Sequence, residues 1–277
     1  MKEVLWEMMS RVLTHRKARA VNWKRLQLYF IGFLAGNLLA VLGFGLPARE
    51  PLPEPMLYSY YETMAGNGVK LHAVRTSPDA VILKAISGNV TKESDYGING
   101  GFFWQGYLLS IAVMNNFPVK GQAEDYGSGW HNIDHPKGTL VWDAAARRFS
   151  TQVVLAADEL QVTDKQHYWA QGGVSMSLSD PGRWVEQARK EDMPLIEEPR
   201  LRSGAVYDAQ QQLWLIVSDK PCTAEQFRTA ILETIMPGRL IGGIFLDGDG
   251  SSQMKLKEVQ LKGDSRPVYQ MIALRST

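Results

Sequence analysis

From residue 26 to residue 46 the chain carries no charged side chain, and only Gln27 and Asn37 in that run are strongly polar. As an α-helix the run would reach about 31 Å at roughly 1.5 Å per residue, the thickness of a bilayer core. Nothing else restricts the fold so strongly, because any globular core must then be built beyond it. Residues 1–25 hold seven basic side chains (Lys2, Arg11, Arg16, Lys17, Arg19, Lys24, Arg25) against Glu3 and Glu7. That excess predicts a cytoplasmic N-terminus, with everything after residue 50 on the far side of the membrane. An uncleaved anchor and a cleaved signal peptide both fit. The lead and the span are long for a signal peptide, and Leu46-Pro47-Ala48 is a poor cleavage site because its first residue is not small. Gly43-Phe44-Gly45 is a better site but lies inside the apolar run, so the anchor is preferred. Pro47, Pro51, Pro53 and Pro55 mark residues 47–55 as a stiff linker. A single domain, residues 56–277, follows.

The overall charge of +1 hides a segment of +5 before the apolar run, so the remainder carries −4. A mildly acidic body gives no support for nucleic-acid binding, which would need a basic face on the folded domain. Cys222 is the only cysteine, which rules out an intrachain disulfide and reads as an inert structural thiol. A lone cysteine outside the cytoplasm suits a bacterial envelope protein better than a disulfide-stapled secreted domain.

The domain opens with strand signals at residues 57–64 and 69–75, joined by the hairpin signature Gly66-Asn67-Gly68. Residues 80–86 form a third short apolar run. Residues 138–143 with 148–154, and 206–207 with 213–218, read as two further hairpins. Helices are fewer: residues 181–190 are one candidate and 223–236 the stronger. In the latter, Thr223 and Gln226 make a capping box, Pro237-Gly238 stops the helix, and Phe227, Ile231 and Ile235 form one apolar stripe. Many short strands with two or three helices predict an α+β fold, with a mixed, largely antiparallel sheet behind the N-terminal transmembrane helix.

Four segments place glycine beside polar groups at predicted strand ends. They are Gly97-Ile98-Asn99-Gly100-Gly101-Phe102-Phe103, Gln171-Gly172-Gly173-Val174-Ser175, Arg200-Leu201-Arg202-Ser203-Gly204, and Asp247-Gly248-Asp249-Gly250-Ser251-Ser252. Each alone is compatible with a turn, a bulge or a surface arginine. Four in one domain exceed what joining strands requires. Together they offer a cation, an amide, hydroxyls and carboxylates on glycine-rich backbone, the materials of a polar site on a rigid scaffold.

In order and spacing these segments resemble the phosphodiester glycosidase domain family. Asn99 to Phe103 matches its Asn-Gly-Gly-Phe-Phe motif outright, and Gly172-Gly173 matches a Gly-Gly segment. Arg202-Ser203-Gly204 stands for an Arg-Thr-Ala-type motif, Leu246 to Met254 for Leu-Asp-Gly-Gly-Gly-Ser-Ser-Thr-Met, and Arg266-Pro267-Val268 for an Arg-Pro-Val tail. The resemblance covers roughly residues 57–277. It departs from the family at Asp249, where glycine is usual, at Gln253 in place of threonine, and at Ser203-Gly204.

The resemblance implies hydrolysis of the glycosidic bond of a sugar-1-phosphodiester, here in an envelope glycan or exopolysaccharide. Asp247, Arg202 and Asn99 are the implied catalytic residues. Gly100, Gly101, Phe102, Gly172, Gly173, Asp249, Ser251, Ser252 and Arg266 are the implied binding residues. A phosphate leaving group is already stabilised as an anion and needs less help from a general acid than an ordinary glycoside does. Asp247 would stabilise, attack or act as base at the anomeric centre, Arg202 would grip the phosphate, and Asn99 would orient a sugar hydroxyl. No cofactor, metal or nucleic-acid partner is expected. The alternative is a non-catalytic glycan- or phosphate-binding protein, or a polysaccharide-assembly protein, on the same fold.

Other segments carry weaker signals. Asp247, Asp249, Ser251 and Glu258 fall on calcium-loop positions, but Ser252 replaces the required glycine and a strand precedes the loop. His131 and His135 are four apart in a segment that reads as a loop. Trp104, Trp130 and Trp169 are candidates either for sugar stacking or for the core.

Overall fold

The computed structural model describes residues 24–25, 27–31, 57–180 and 182–275. Residues 24–25 and 27–31 are helical. Among the described residues no helix is long and apolar enough to cross a membrane; the rest of the expected span and the proline-rich linker lie outside them. The chain divides into two units, residues 1–54 and 55–277, and the second carries all the sheets.

Among the described residues this second unit holds three sheets of five or six strands, rather than one, and a two-stranded ribbon. In the largest, the strand order is Tyr58–Met64, Lys70–Thr76, Leu213–Ser218, Ser203–Asp208, Leu240–Phe245 and Val174–Ser175. A second sheet runs Arg148–Val154, Lys137–Asp143, Tyr168–Gly172, Ala112–Met114 and Phe117–Pro118. The third runs Gln260–Leu261, Met254–Lys255, Tyr96–Asn99, Val268–Leu274 and Val81–Gly88. A small ribbon pairs Phe103–Trp104 with Tyr107–Leu108. Pairing between these strands is antiparallel throughout. The fold is therefore a sheet-rich α+β arrangement.

The largest sheet is covered on both faces, which explains why Leu213–Ser218 is buried along its whole length. Alternate residues sort to opposite sides, as a strand's period of two requires. Val74, Ala205, Leu215 and Ile244 pack against Leu83, Ile98, Leu140, Trp169 and Ile272 of the other two sheets. Ala73, Val206, Trp214, Ile216 and Phe245 face the helices Trp184–Lys190 and Ala224–Thr234.

The second helix forms as its sequence dictates. Thr223 Oγ1 accepts from the Gln226 amide at 3.1 Å, and Gln226 Oε1 accepts from the Thr223 amide at 2.9 Å. Phe227, Ile231 and Ile235 are all buried. The helix ends at Thr234, two residues short of the expected boundary, because Ile235 is extended and Met236 has φ +47°. The expected helix over 181–190 is likewise shorter, starting at Trp184. At the opening hairpin, Ala65 N–H donates to Val69 O at 3.0 Å and Gly68 N–H to Ala65 O at 2.9 Å, closing the turn.

Candidate active site

Three of the four glycine-bearing segments meet around one side chain, Asn99. It is the last residue of a strand and is fully buried. Its Nδ2 donates to Asp247 O at 2.8 Å and Gly100 O at 3.2 Å, while its Oδ1 accepts from Ser203 Oγ at 2.8 Å and Gln253 N–H at 3.1 Å. Backbone bonds reinforce the junction: Leu246 N–H to Ser203 O, Asp247 N–H to Gly100 O, and Asp249 N–H to Leu201 O. The ends of three strands from two sheets are thereby held in register, leaving Asp247 just beyond the last residue of Leu240–Phe245 and Leu246.

The fourth segment connects through amides. Gln270 Oε1 accepts from Gly101 N–H at 2.9 Å, and its Nε2 donates to Gln171 Oε1 at 2.7 Å. A Cβ on Gly100 would lie 1.4 Å from Gln270 Oε1, so any side chain there would displace the Gln270 amide from these bonds. Gly172 and Gly173 sit where the chain leaves the second sheet and joins the largest one. They pack against Asn132 and Phe245 O and do not line the pocket described next.

That pocket, of about 100 Å³, is walled by Phe102, Met193, Pro194, Leu195, Arg200, Arg202, Leu246, Asp247, Gly248, Asp249 and Arg266. Ligand pockets commonly run from roughly 300 to 1,000 Å³, so this one has room for a single group of a larger molecule. Its chemistry is polar. Asp247 retains some contact with solvent, yet protein crowds its carboxyl, and desolvation pushes its pKa up to about 7. The Ser251 hydroxyl, the Gly248 amide (3.0 Å to Oδ1) and the charge of Arg266 oppose that rise, while Asp249 adds to it.

The hydrogen bonding places two of the expected catalytic residues as follows. Asn99 has both its amide atoms engaged within the protein, among them a bond to the carbonyl of Asp247. Arg202 is buried, and its Nε and Nη2 donate to the carbonyls of Cys222, Leu195 and Glu198. Those bonds clasp the loop that forms one pocket wall, so Arg202 contributes charge to the pocket more than a free fork of donors. Burial also holds its guanidinium below the usual arginine range.

The loop carrying Asp247 is clasped from the C-terminal side. Asp264 N–H donates to Gly250 O at 3.2 Å, and a Cβ on Gly250 would fall 2.1 Å from Asp264 Oδ2. Asp264 clamps the Arg266 guanidinium, keeping its own carboxyl below the usual range. Ser251 and Ser252 are buried beneath the loop, and the Ser252 hydroxyl has no partner in the protein. Gln253 ties Val90 N–H to Arg266 O from the same position.

Arg200, Asp264 and Gln270 were not singled out from sequence. Gln270 had a usable signal, being the one polar residue inside the apolar end of Val268–Leu274. Arg200 is two residues from Arg202, a spacing that puts both on one side of an extended chain. Asp264 had none. Of the aromatic candidates, Trp130 and Trp169 are core, whereas Trp104 is 64 % exposed. Among the described residues no group of three metal-ligating side chains converges.

Fold and pocket thus define an antiparallel α+β domain with a carboxylate-and-arginine pocket at clustered strand ends. No protein-family model matches the chain, and neither does any curated protein sequence. Among solved structures it is similar to the catalytic domain of zebrafish N-acetylglucosamine-1-phosphodiester alpha-N-acetylglucosaminidase, in a form auto-inhibited by pro-peptide. The TM-score is 0.53 and the identity 13%, over 79% of this chain and 82% of that one. A hypothetical protein from Synechocystis gives a TM-score of 0.41 at 11% identity, over 79% of this chain and 62% of that one. At such identities the zebrafish likeness establishes a related fold.

Proposed function

We propose that this chain is an extracytoplasmic hydrolase that cleaves the glycosidic bond of a sugar-1-phosphodiester in an envelope glycan or exopolysaccharide. The observation that carries this proposal is Asp247, a carboxyl with its pKa lifted to about 7 in a pocket rimmed by arginines. A group poised near neutrality suits proton transfer in the working range. The distant fold similarity to a glycosidase catalytic domain supports the same class of chemistry.

In this scheme the bond between the anomeric carbon and the phosphate oxygen breaks, and the phosphomonoester departs with the bonding electron pair. Water adds to the anomeric carbon, and Asp247 takes its proton. The positive charges of Arg202 and Arg266 face the developing anion. Because the leaving group is already a stable anion, a single carboxyl suffices where ordinary glycosidases use two.

The test is an assay of the full-length chain in mild detergent against α- and β-linked sugar-1-phosphodiesters, with Asp247→Asn as control. Turnover in the native chain that vanishes in Asp247→Asn is the expected result. Binding of the same compounds without turnover would replace the hydrolase by a glycan- or phosphate-binding protein. That second reading draws on one observation, the carboxylate of Asp249 in the pocket wall.

A further inference from the structure

Asp249 occupies an unfavourable backbone position for a side-chain-bearing residue. Its φ is +52°, a left-handed conformation that glycine adopts freely and aspartate tolerates better than most. The conformation is enforced from both sides: Asp249 N–H donates to Leu201 O at 2.7 Å, and Asp249 O accepts from Ser252 N–H at 3.0 Å. A carboxylate is thus held at a fixed point in the pocket wall, on backbone that would also suit glycine.

What that carboxylate does is visible in its surroundings. Oδ1 lies 3.6 Å from Arg200 Nη1, and Oδ2 lies 3.7 Å from Arg266 Nη2. Each oxygen faces a different guanidinium, the disposition of an anion bound between two arginines. Both distances exceed the 2.7–2.9 Å of a tight charge-assisted hydrogen bond, so the carboxylate fills the position without locking it. Each arginine has a closer acid of its own, Glu198 for Arg200 at 2.7 Å and Asp264 for Arg266. Asp249 therefore brings the group to a net negative charge. Arg202 and Asp247 are the other charged groups in the wall. The Arg200 Nε is buried without a partner, which leaves that side chain with donor capacity in hand.

The structure assigns to Asp249 the part of a built-in anion. It stands between Arg200 and Arg266 where a phosphate dianion would otherwise sit, and so sets the pocket against free phosphate and phosphomonoesters. Taken with the proposed function, on which its biological sense rests, this makes Asp249 a specificity residue: a diester with one negative charge is admitted and the dianionic product is expelled.

The test measures binding of inorganic phosphate to the purified full-length chain by calorimetry, at low and high salt. Asp249→Asn removes the charge in a residue that accepts the same φ; Asp249→Gly also removes the backbone strain. Both are expected to bind phosphate about tenfold more tightly than the native chain, with the gain shrinking as salt rises. Arg200→Gln together with Arg266→Gln in the Asp249→Asn background should erase it. No gain in either folded variant, or a gain that survives loss of both arginines, would overturn the assignment. Catalysis does not enter this measurement, so inactivity toward every diester would remove the proposed hydrolase and leave the phosphate result standing.

Discussion

At the scale of single residues, Asp247 couples the site to pH in a direction that can be worked out. Its pKa rises on folding from the ordinary carboxyl value of 3.8 to about 7. The folded state therefore holds the proton more tightly, and the contribution to stability is complete below pH ~4 and is lost as pH climbs through 7. Asp247→Asn escapes that loss. Relative to the native chain the variant should gain stability progressively between pH 4 and pH 7 and level off above, by about 2 kcal/mol. That figure discounts the full shift because the residue keeps some solvent contact. Thermal unfolding of both proteins across this range checks it; parallel curves would mean the carboxyl is not desolvated. If Asp247 is the base, kcat/KM should rise with pH and reach half its plateau near pH 7, whereas a profile that falls through that range would require an acid.

At the scale of elements, the helix Ala224–Thr234 anchors the opening hairpin. Gly66 N–H donates to Glu233 Oε1 at 2.8 Å, and Asn67 Nδ2 donates to Gln226 O at 2.9 Å. Replacing Thr223 by alanine removes half the capping box and should cost about 1 kcal/mol, read as a shift in the urea midpoint with unchanged slope. This helix was legible in the sequence because its cap, stripe and stop all agree. The hairpins at 57–76, 137–154 and 203–218 were legible for a similar reason, short β-rich or apolar runs bounded by turn residues. The pieces between residues 96 and 118 were not. Strands of two to four residues, such as Phe103–Trp104 and Phe117–Pro118, are too short to show a period. Those two pair with near neighbours, Tyr107–Leu108 and Ala112–Met114, whereas Tyr96–Asn99 takes its partners from far along the chain, among them Met254 and Met271.

At the scale of the whole molecule, sequence motifs named the neighbourhood of the pocket but not the division of labour within it. Asn99 and Arg202 stand in the motifs, yet the motifs do not show that Asn99 bonds the carbonyl of Asp247, 148 residues away, or that Arg202 bonds the carbonyls of Leu195 and Glu198 in the loop before it. Gln270 and Gln171 link sheets more than ninety residues apart in the chain (a separation of 99), a contact that no local pattern reveals. The number of sheets was hidden likewise, since strand signals do not state which strands pair. Residues 26–46 carry their own prediction. Expressed intact, the chain should stay in the membrane pellet after alkaline extraction, and added protease should reach residues 57–275 from outside the cell. Release into the soluble fraction would favour a cleaved signal peptide.

Cys222 offers a way to watch the pocket wall move. Its backbone exchanges hydrogen bonds with Arg200 at 2.9 and 3.1 Å, and its carbonyl also takes the Arg202 Nε bond. The thiol is buried, and burial pushes its pKa up. Reaction with a maleimide or disulfide reagent must then wait for this patch to open, and no second thiol exists to confuse the signal. Labelling kinetics on the native sequence thus become a clock for local opening at the arginine side of the pocket. Any compound that engages Arg200 should slow that clock in proportion to its occupancy, without the need for a coloured substrate or a measured turnover.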